Sequence, residues 1–188
     1  MGSVKIAFQE ENTGSEPGWR KAARLNGVRI NRVSAGDVLS IDHSMKLYFL
    51  SPGNSSQKAG RVRIRSANNS SIVVLLRTTH SSVLFTGDAE RLQERELIAR
   101  YGDLLRSEVV KVAHHGSFTS SIRLFVERVI IPDKTVAVIS SGLNNRFGHP
   151  STLVVARWTK SGSKVLLTSE QGAVSFMLDG GRIVRQVR

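Results

Sequence analysis

The chain has 188 residues, 40% of them hydrophobic and 22% charged, which suits one globular domain with a real core and excludes a disordered chain. It holds no cysteine, so disulfides and thiolate metal sites are excluded, and no apolar run approaches the roughly 20 residues that cross a bilayer. Against 15 Asp and Glu stand 27 Lys and Arg, a net charge of +12; this fits a polyanionic partner such as nucleic acid, a phosphorylated substrate or an anionic membrane surface, and equally a plain solvated basic surface.

Val4–Phe8 alternates and predicts a strand, and Gln9–Gly18 a polar loop. No signal-like apolar stretch opens the chain, and a soluble chain is expected. Trp19–Asn26 has helical spacing with Trp19, Ala22, Ala23 and Leu25 inward, stopped by Gly27. Val28–Val33 alternates as a half-buried strand. Val38–Ile41 and Lys46–Leu50 form a hairpin around Asp42-His43-Ser44, and Ser51–Ser56 and Gln57–Ser66 read as a loop and a basic connector.

Asn68-Asn69-Ser70-Ser71 opens a β-branched strand, Ile72–Leu76, and a turn at Thr79–Ser82 leads into Val83–Phe85. That strand stops on Thr86-Gly87-Asp88. Glu90–Tyr101 predicts an amphipathic helix with Leu92, Leu97 and Ile98 inward, and Val109–Ala113 a second buried strand that stops on His114-His115-Gly116-Ser117. Such a strand–helix–strand unit brings both strand ends to one rim of a sheet, so an Asp and a His pair converge there. Divalent metals take such side chains as ligands.

Ser117–Ser121 is a polar loop and N-cap for a helix over Ile122–Val129, with Ile122, Phe125, Val126 and Val129 inward. Val136–Ser140 is a further buried strand, and Leu143–Pro150 a loop reading L-N-N-R-F-G-H-P. Ser151–Lys160 is a helix with Val154, Val155 and Trp158 inward. Val165–Thr168, Ala173–Leu178 and Arg182–Val187 are closing strands. The fold class is α/β or α+β, a sandwich with mixed sheets.

Each candidate site residue also has a purely structural reading. Asp88 fits an N-cap for a helix starting at Ala89. His114 and His115 fit a structural pair bonded to backbone, and on a strand only one of them would face a site. His149 fits a turn residue before Pro150, and Asp42-His43 a bare hairpin turn. His80 reads as exposed, and Trp19 and Trp158 as core.

Three motif loops in order, with their flanks, resemble a known family. The pieces are N-x-x-S at Asn68–Ser71, L-x-T-G-D-A-E at Leu84–Glu90, V-x-K-V-x-H-H-G-S at Val109–Ser117, I-S-x-G-x-N-x-x-G-H-P at Ile139–Pro150 and T-x-x-x-G-A at Thr168–Ala173. Together they resemble the metallo-β-lactamase-fold domain of the ComEC competence proteins, the DNA-uptake channel proteins of bacteria. That resemblance implies an αββα sandwich and metal-dependent phosphoester hydrolysis on DNA. It implies Asp88 bridging two divalent ions (Zn or Mn), His115 as a metal ligand, and His114 as second choice or a phosphate contact. His149 would protonate a leaving group or donate to a phosphate, with Asn145 beside it on the substrate side. Ser117 and the N–H groups after it would start a helix that cradles an anion.

The fold's signature H-x-H-x-D-H is not among the 188 residues; the histidines are His43, His80, His114, His115 and His149. The expectation is therefore an N-terminally truncated domain, residues 1–67 a remnant of its first half and 68–188 its second half. The missing part would come from a longer chain, or in trans from a split gene. A catalytic zinc takes three protein ligands plus water, and Asp88 with one His offers two. The chain alone is expected to bind metal weakly or not at all, to have little activity, and to self-associate through an unpaired sheet edge. The parent by resemblance sits in the cytoplasmic membrane with this domain on its outer face. The alternative function is a non-catalytic module that holds DNA on its basic surface.

Overall fold

The computed structural model describes residues 3–6, 18–53, 67–179 and 182–186. Most of the Gln9–Gly18 loop, the end of the Ser51–Ser56 loop and the Gln57–Ser66 connector lie outside the described residues.

A seven-stranded mixed sheet forms the body. Its first half is antiparallel: β3 (Val38–Ser40), β4 (Lys46–Ser51), β5 (Val73–Arg77) and β6 (Ser82–Phe85) pair in sequence. Its second half is parallel: β6 pairs with β7 (Val109–Lys111), then β8 (Val136–Ile139), then β9 (Lys164–Leu167). The crossovers are α2 (Arg91–Tyr101), α3 (Arg123–Val129) and α4 (Thr152–Lys160). Right-handed crossovers that advance steadily across a sheet lay their helices on one face. A single core records that arrangement: Leu84, Val110, Ala137 and Ile139 of the sheet are buried with Leu97 of α2, Phe125, Val126 and Val129 of α3, and Val154 and Trp158 of α4. The architecture is mixed α/β, as the order of elements predicts.

Two small sheets stand apart: β1 (Ser3–Ile6) runs parallel to β2 (Arg29–Arg32), and β10 (Ser175–Asp179) pairs antiparallel with β11 (Arg182–Gln186). A short helix, α5 (Thr168–Gln171), follows β9 and takes in Thr168, which the sequence reading places at the end of the strand. The Asp42 hairpin is as expected: its carboxylate accepts from Ser44 N–H, Ser44 hydroxyl and Met45 N–H, and these bonds hold its pKa below the ordinary value.

Four expectations are corrected. Trp158 is core, but Trp19 is 44% exposed, and Ala22 and Leu25 of α1 (Gly18–Leu25) are exposed too. The reason is that α1 packs on β2, away from the large core. Second, α2 starts at Arg91 with Glu90 in the cap position, so Asp88 does not cap it. Third, Leu92 is exposed while Gln93 and Glu94 are buried. Fourth, no helix starts at Ser117 to cradle an anion; α3 starts at Arg123, within one residue of the helix expected over Ile122–Val129.

The third correction explains the fourth. The Glu94 carboxylate accepts from Ser121 N–H at 2.5 Å and Ile122 N–H at 2.8 Å, so the α2 face that looked charged satisfies the backbone leading into α3. Ser121 sits at φ 54° and accepts a hydrogen bond from Trp158 Nε1 at 3.2 Å, which ties α4 to the same point. Gln93 donates to Ser71 O at 2.6 Å and to the Ser51 hydroxyl, joining α2 to β4 and to the segment before β5.

Burial pushes the Glu94 carboxyl up from 4.5 to about 7, against the opposing pull of the two N–H donors, Arg157 and Arg91. A carboxyl with a raised native pKa binds more protons folded than unfolded, so its contribution to stability is full below the unfolded value and is lost as pH rises through the native one. Wild-type stability, relative to Glu94→Gln, should fall between about pH 4.5 and pH 7 by on the order of 3 kcal/mol in denaturant titrations. A flat difference across that window would show that Glu94 stays charged on folding. A second position is set by space: a Cβ on Gly116 would lie 2.6 Å from Pro150 Cβ, at φ +79°. Gly116→Ala should lower stability by roughly 1–3 kcal/mol, read as a drop in Tm.

Candidate functional site

The parallel registers set Phe85, Lys111 and Val138 in one row across β6, β7 and β8. Asp88, His114 and Ser140–Ser141 follow two or three residues after that row, on the rim where these strands end. Thr86 closes β6 by donating its hydroxyl to Lys111 O at 2.6 Å. Gly87 turns the chain at φ +54°, where a Cβ would come within 3.0 Å of Ile72 O and Ser71 Cβ. Asp88 N–H then donates to the Ser71 hydroxyl at 3.1 Å, which fixes the start of the loop.

After β7 the chain does not continue as a strand. His114 and His115 take left-handed conformations, φ 47° and 53°, and Gly116 follows at +79°. Two successive side-chain-bearing residues in that region are uncommon, and such strain persists where surrounding contacts enforce it, often at functional sites. This corrects the alternation expected of a strand. Both imidazoles reach the same rim, with ring centroids 6.5 Å apart, and His149 closes on His114 at 5.7 Å.

Each imidazole has a defined partner. His115 Nδ1 lies 2.8 Å from Ser140 O, and since a carbonyl only accepts, that nitrogen carries the proton. His115 Nε2 then faces Asp88 Oδ1 at 3.7 Å, with both side chains nearly half exposed. His114 Nδ1 lies 3.5 Å from Glu90 Oε1 and 3.4 Å from the Thr119 hydroxyl. Thr119 donates to the same Glu90 oxygen at 3.0 Å, and Asn69 Nδ2 donates to Oε2 at 3.1 Å. His149 is held by its backbone: its N–H donates to Asn145 Oδ1 at 3.0 Å, and Asn145 Nδ2 donates to the carbonyls of His149 and Gly142. Phe147 stacks on His149 at 6.0 Å. Burial, then His114 and His115, hold the His149 pKa below the ordinary imidazole value, so it is neutral at pH 7.

Of the sequence-predicted residues, Asp88, His114, His115 and His149 come together. Asn145 is beside them but acts on the backbone of its own loop. Ser117 is buried, its N–H bonded to His114 O at 2.8 Å and its hydroxyl to Thr119 at 3.0 Å. No helix begins at Ser117. Two residues were not assigned a role from sequence although both stand in quoted motifs. Glu90, the last letter of T-G-D-A-E, orients His114. Lys111, in V-x-K-V, donates to Gly87 O at 3.2 Å and Val112 O at 3.4 Å; burial lowers its pKa while the Asp88 carboxylate pulls it up.

Two donors bound to one tetrahedral ion at about 2.1 Å lie about 3.4 Å apart, so Asp88 Oδ1 and His115 Nε2 have a spacing that suits a shared cation. The carbonyl on His115 Nδ1 is the outer support that metal-binding imidazoles usually have. Among the described residues no group of three His, Asp or Glu side chains is arranged to hold a metal ion.

No protein-family model matches the chain. It is 35% identical over 156 residues to ComE operon protein 3 of Bacillus subtilis (strain 168), covering 83% of this chain and 19% of that protein. Over 119 residues it is 36% identical to competence protein ComA of Neisseria gonorrhoeae, covering 63% of this chain and 17% of that protein. Over 134 residues it is 37% identical to recombination protein 2 of Haemophilus influenzae, covering 70% of this chain and 15% of that protein. The chain thus spans less than a fifth of the length of these curated relatives. Motif order, strand-end placement and these identities agree, and the chain belongs to the ComEC family of competence proteins.

Proposed function

We propose that this domain serves DNA uptake and contributes the rear half of a metal-dependent phosphoester hydrolase centre of the metallo-β-lactamase type. The observation that carries the reading is the Asp88–His115 pair, 3.7 Å apart on a strand-end rim, with His115 oriented by Ser140 O at 2.8 Å. The family relationship supports the DNA-uptake role, since the relatives are named as competence and recombination proteins.

In this reading Asp88 and His115 hold a divalent cation, Zn or Mn, together with donors from outside the described residues. Such a cation stabilises charge on a phosphoryl oxygen and makes water easier to ionise at neutral pH. The chain's own residues do the rest. Neutral His149 can accept or relay a proton beside the phosphate, and Asn145 holds it there through the loop backbone. His114, oriented by Glu90 and Thr119, contacts phosphate oxygen. Ser117 keeps Thr119 in place. Lys111 ties the Asp88 loop to the end of β7 and adds positive charge under it.

A second reading keeps one specific observation: among the described residues no third donor joins the Asp88–His115 pair, while the chain carries a net charge of +12. On that reading the domain holds DNA without cutting it. The two separate cleanly. Supplying a segment that bears H-x-H-x-D-H, in cis or in trans, with Mn²⁺ or Zn²⁺ should produce DNA cleavage that Asp88→Ala lowers by at least 100-fold, read on a labelled duplex and a labelled single strand. Calorimetric titration of the 188-residue chain alone should show weak metal binding that Asp88→Ala and His115→Ala each abolish. Cleavage indifferent to Asp88, or no cleavage with either metal, would leave only the binding role.

A further inference from the structure

The rim where β6, β7 and β8 begin carries a separate feature. A cleft of about 600 Å³ opens between those strand starts and the β10–β11 hairpin. Its floor is the β5–β6 turn at His80-Ser81, Glu108-Val109 ahead of β7, and Lys134 and Val136 at the start of β8. Its roof is Phe176 of β10 with Arg182, Ile183 and Arg185 of β11, pinned by Ile183 N–H donating to the Ser81 hydroxyl at 3.1 Å. Because the three strands are parallel, this cleft and the Asp88–His115 rim sit at opposite strand ends, about 10–15 Å apart at 3.3 Å per residue.

The chemistry of the lining is one-sided. Lys134, Arg182 and Arg185 supply three fixed positive charges. Neither Lys134 nor Arg182 pairs with a carboxylate among the described residues. Arg185 donates from Nη2 to Gln171 Oε1 at 2.5 Å, yet its Nε is enclosed with no acceptor. The acidic residue of the lining, Glu108, is already engaged, accepting Ser82 N–H at 2.7 Å. Three cationic side chains against one carboxylate leave the concave lining net basic, which suits an anion. Phe176 adds the flat apolar face on which a base can stack, and a basic groove with an aromatic platform is how proteins hold single-stranded nucleic acid without reading its sequence.

We infer that the cleft between the β10–β11 hairpin and the starts of β6, β7 and β8 binds single-stranded DNA, with Lys134, Arg182 and Arg185 on its phosphates and Phe176 under a base. The site is independent of any metal on the other rim. A strand held here is retained whether or not the Asp88–His115 pair takes part in chemistry.

Fluorescence anisotropy with a labelled oligothymidine, across a range of salt, tests it. Each phosphate contact on a single strand contributes about 0.7 to the slope of log affinity against log salt. Lys134→Ala with Arg182→Ala should weaken binding at least tenfold and reduce that slope by about 1.4. Phe176→Ala should weaken binding about tenfold or more with the slope unchanged, since stacking releases no counterions. A control that removes the same charge from other elements, Lys21→Ala on α1 with Arg95→Ala on α2, should change affinity less than twofold. Circular dichroism confirms that each variant is folded. The inference is overturned if the wild-type chain does not bind the oligonucleotide. Equal effects of the cleft pair and the control pair would also overturn it, as would displacement by inorganic phosphate at the same phosphate concentration as unlabelled oligonucleotide. Loss of cleavage in Asp88→Ala, tested separately, bears only on the other rim.

Discussion

Parallel pairing of β6, β7 and β8 is the constraint on which the candidate site depends. Parallel neighbours must be joined by crossovers, so successive strands end on the same rim and their exit loops meet there. The row Phe85–Lys111–Val138 then acts as a common baseline. From it the Asp88, His114-His115 and Ser140 segments project by similar lengths of chain, which is why residues separated by dozens of positions meet, His115 lying 2.8 Å from Ser140 O and 3.7 Å from Asp88 Oδ1. An antiparallel arrangement of the same strands would have put the Asp and the His pair on opposite edges.

Meeting on a rim does not itself orient side chains. That is done by polar groups that an amphipathic reading treats as solvent-facing. Glu90 gathers Asn69, Thr119 and His114, and Glu94 takes the two N–H groups ahead of α3. A buried carboxylate is tolerated only when such donors surround it. The left-handed turn at His114-His115-Gly116 is held by the same surroundings: His114 N–H donates to Gly87 O at 3.2 Å, Ser117 N–H to His114 O, and Ser151 N–H to Gly116 O at 2.9 Å. The site is therefore clamped from the Asp88 loop on one side and the His149 loop on the other, with Pro150 packed where a side chain on residue 116 would need to be.

The two ends of the parallel strands differ in chemical character. At the exits, acidic and imidazole groups pair with one another. At the entries, Lys134, Arg182 and Arg185 outnumber one carboxylate, Glu108, in the lining of a cleft. Three of the chain's 27 Lys and Arg side chains line that cleft.

Taken alone, the residues determined the element types, the mixed α/β class, the shared rim of Asp88 and the His pair, and the family. The first three depend on local periodicity and on abrupt endings of apolar runs, which a one-dimensional pattern records; the family rests on the resemblance of the ordered motif loops. The assignment of Trp19 to the core failed because burial depends on which partner a helix finds, and α1 finds a two-stranded sheet. Leu92 and Glu94 exchanged their expected places because the requirement to satisfy the backbone before α3 outweighed the helical stripe of α2. Ser117 was expected to open a helix, but the helix starts at Arg123. The double left-handed turn that turns both imidazoles to one side, the role of Glu90 and Lys111, and the basic cleft under the β10–β11 hairpin were decided only by the tertiary structure. Each of these needs groups from three or more distant segments at once, and no spacing along the chain encodes that.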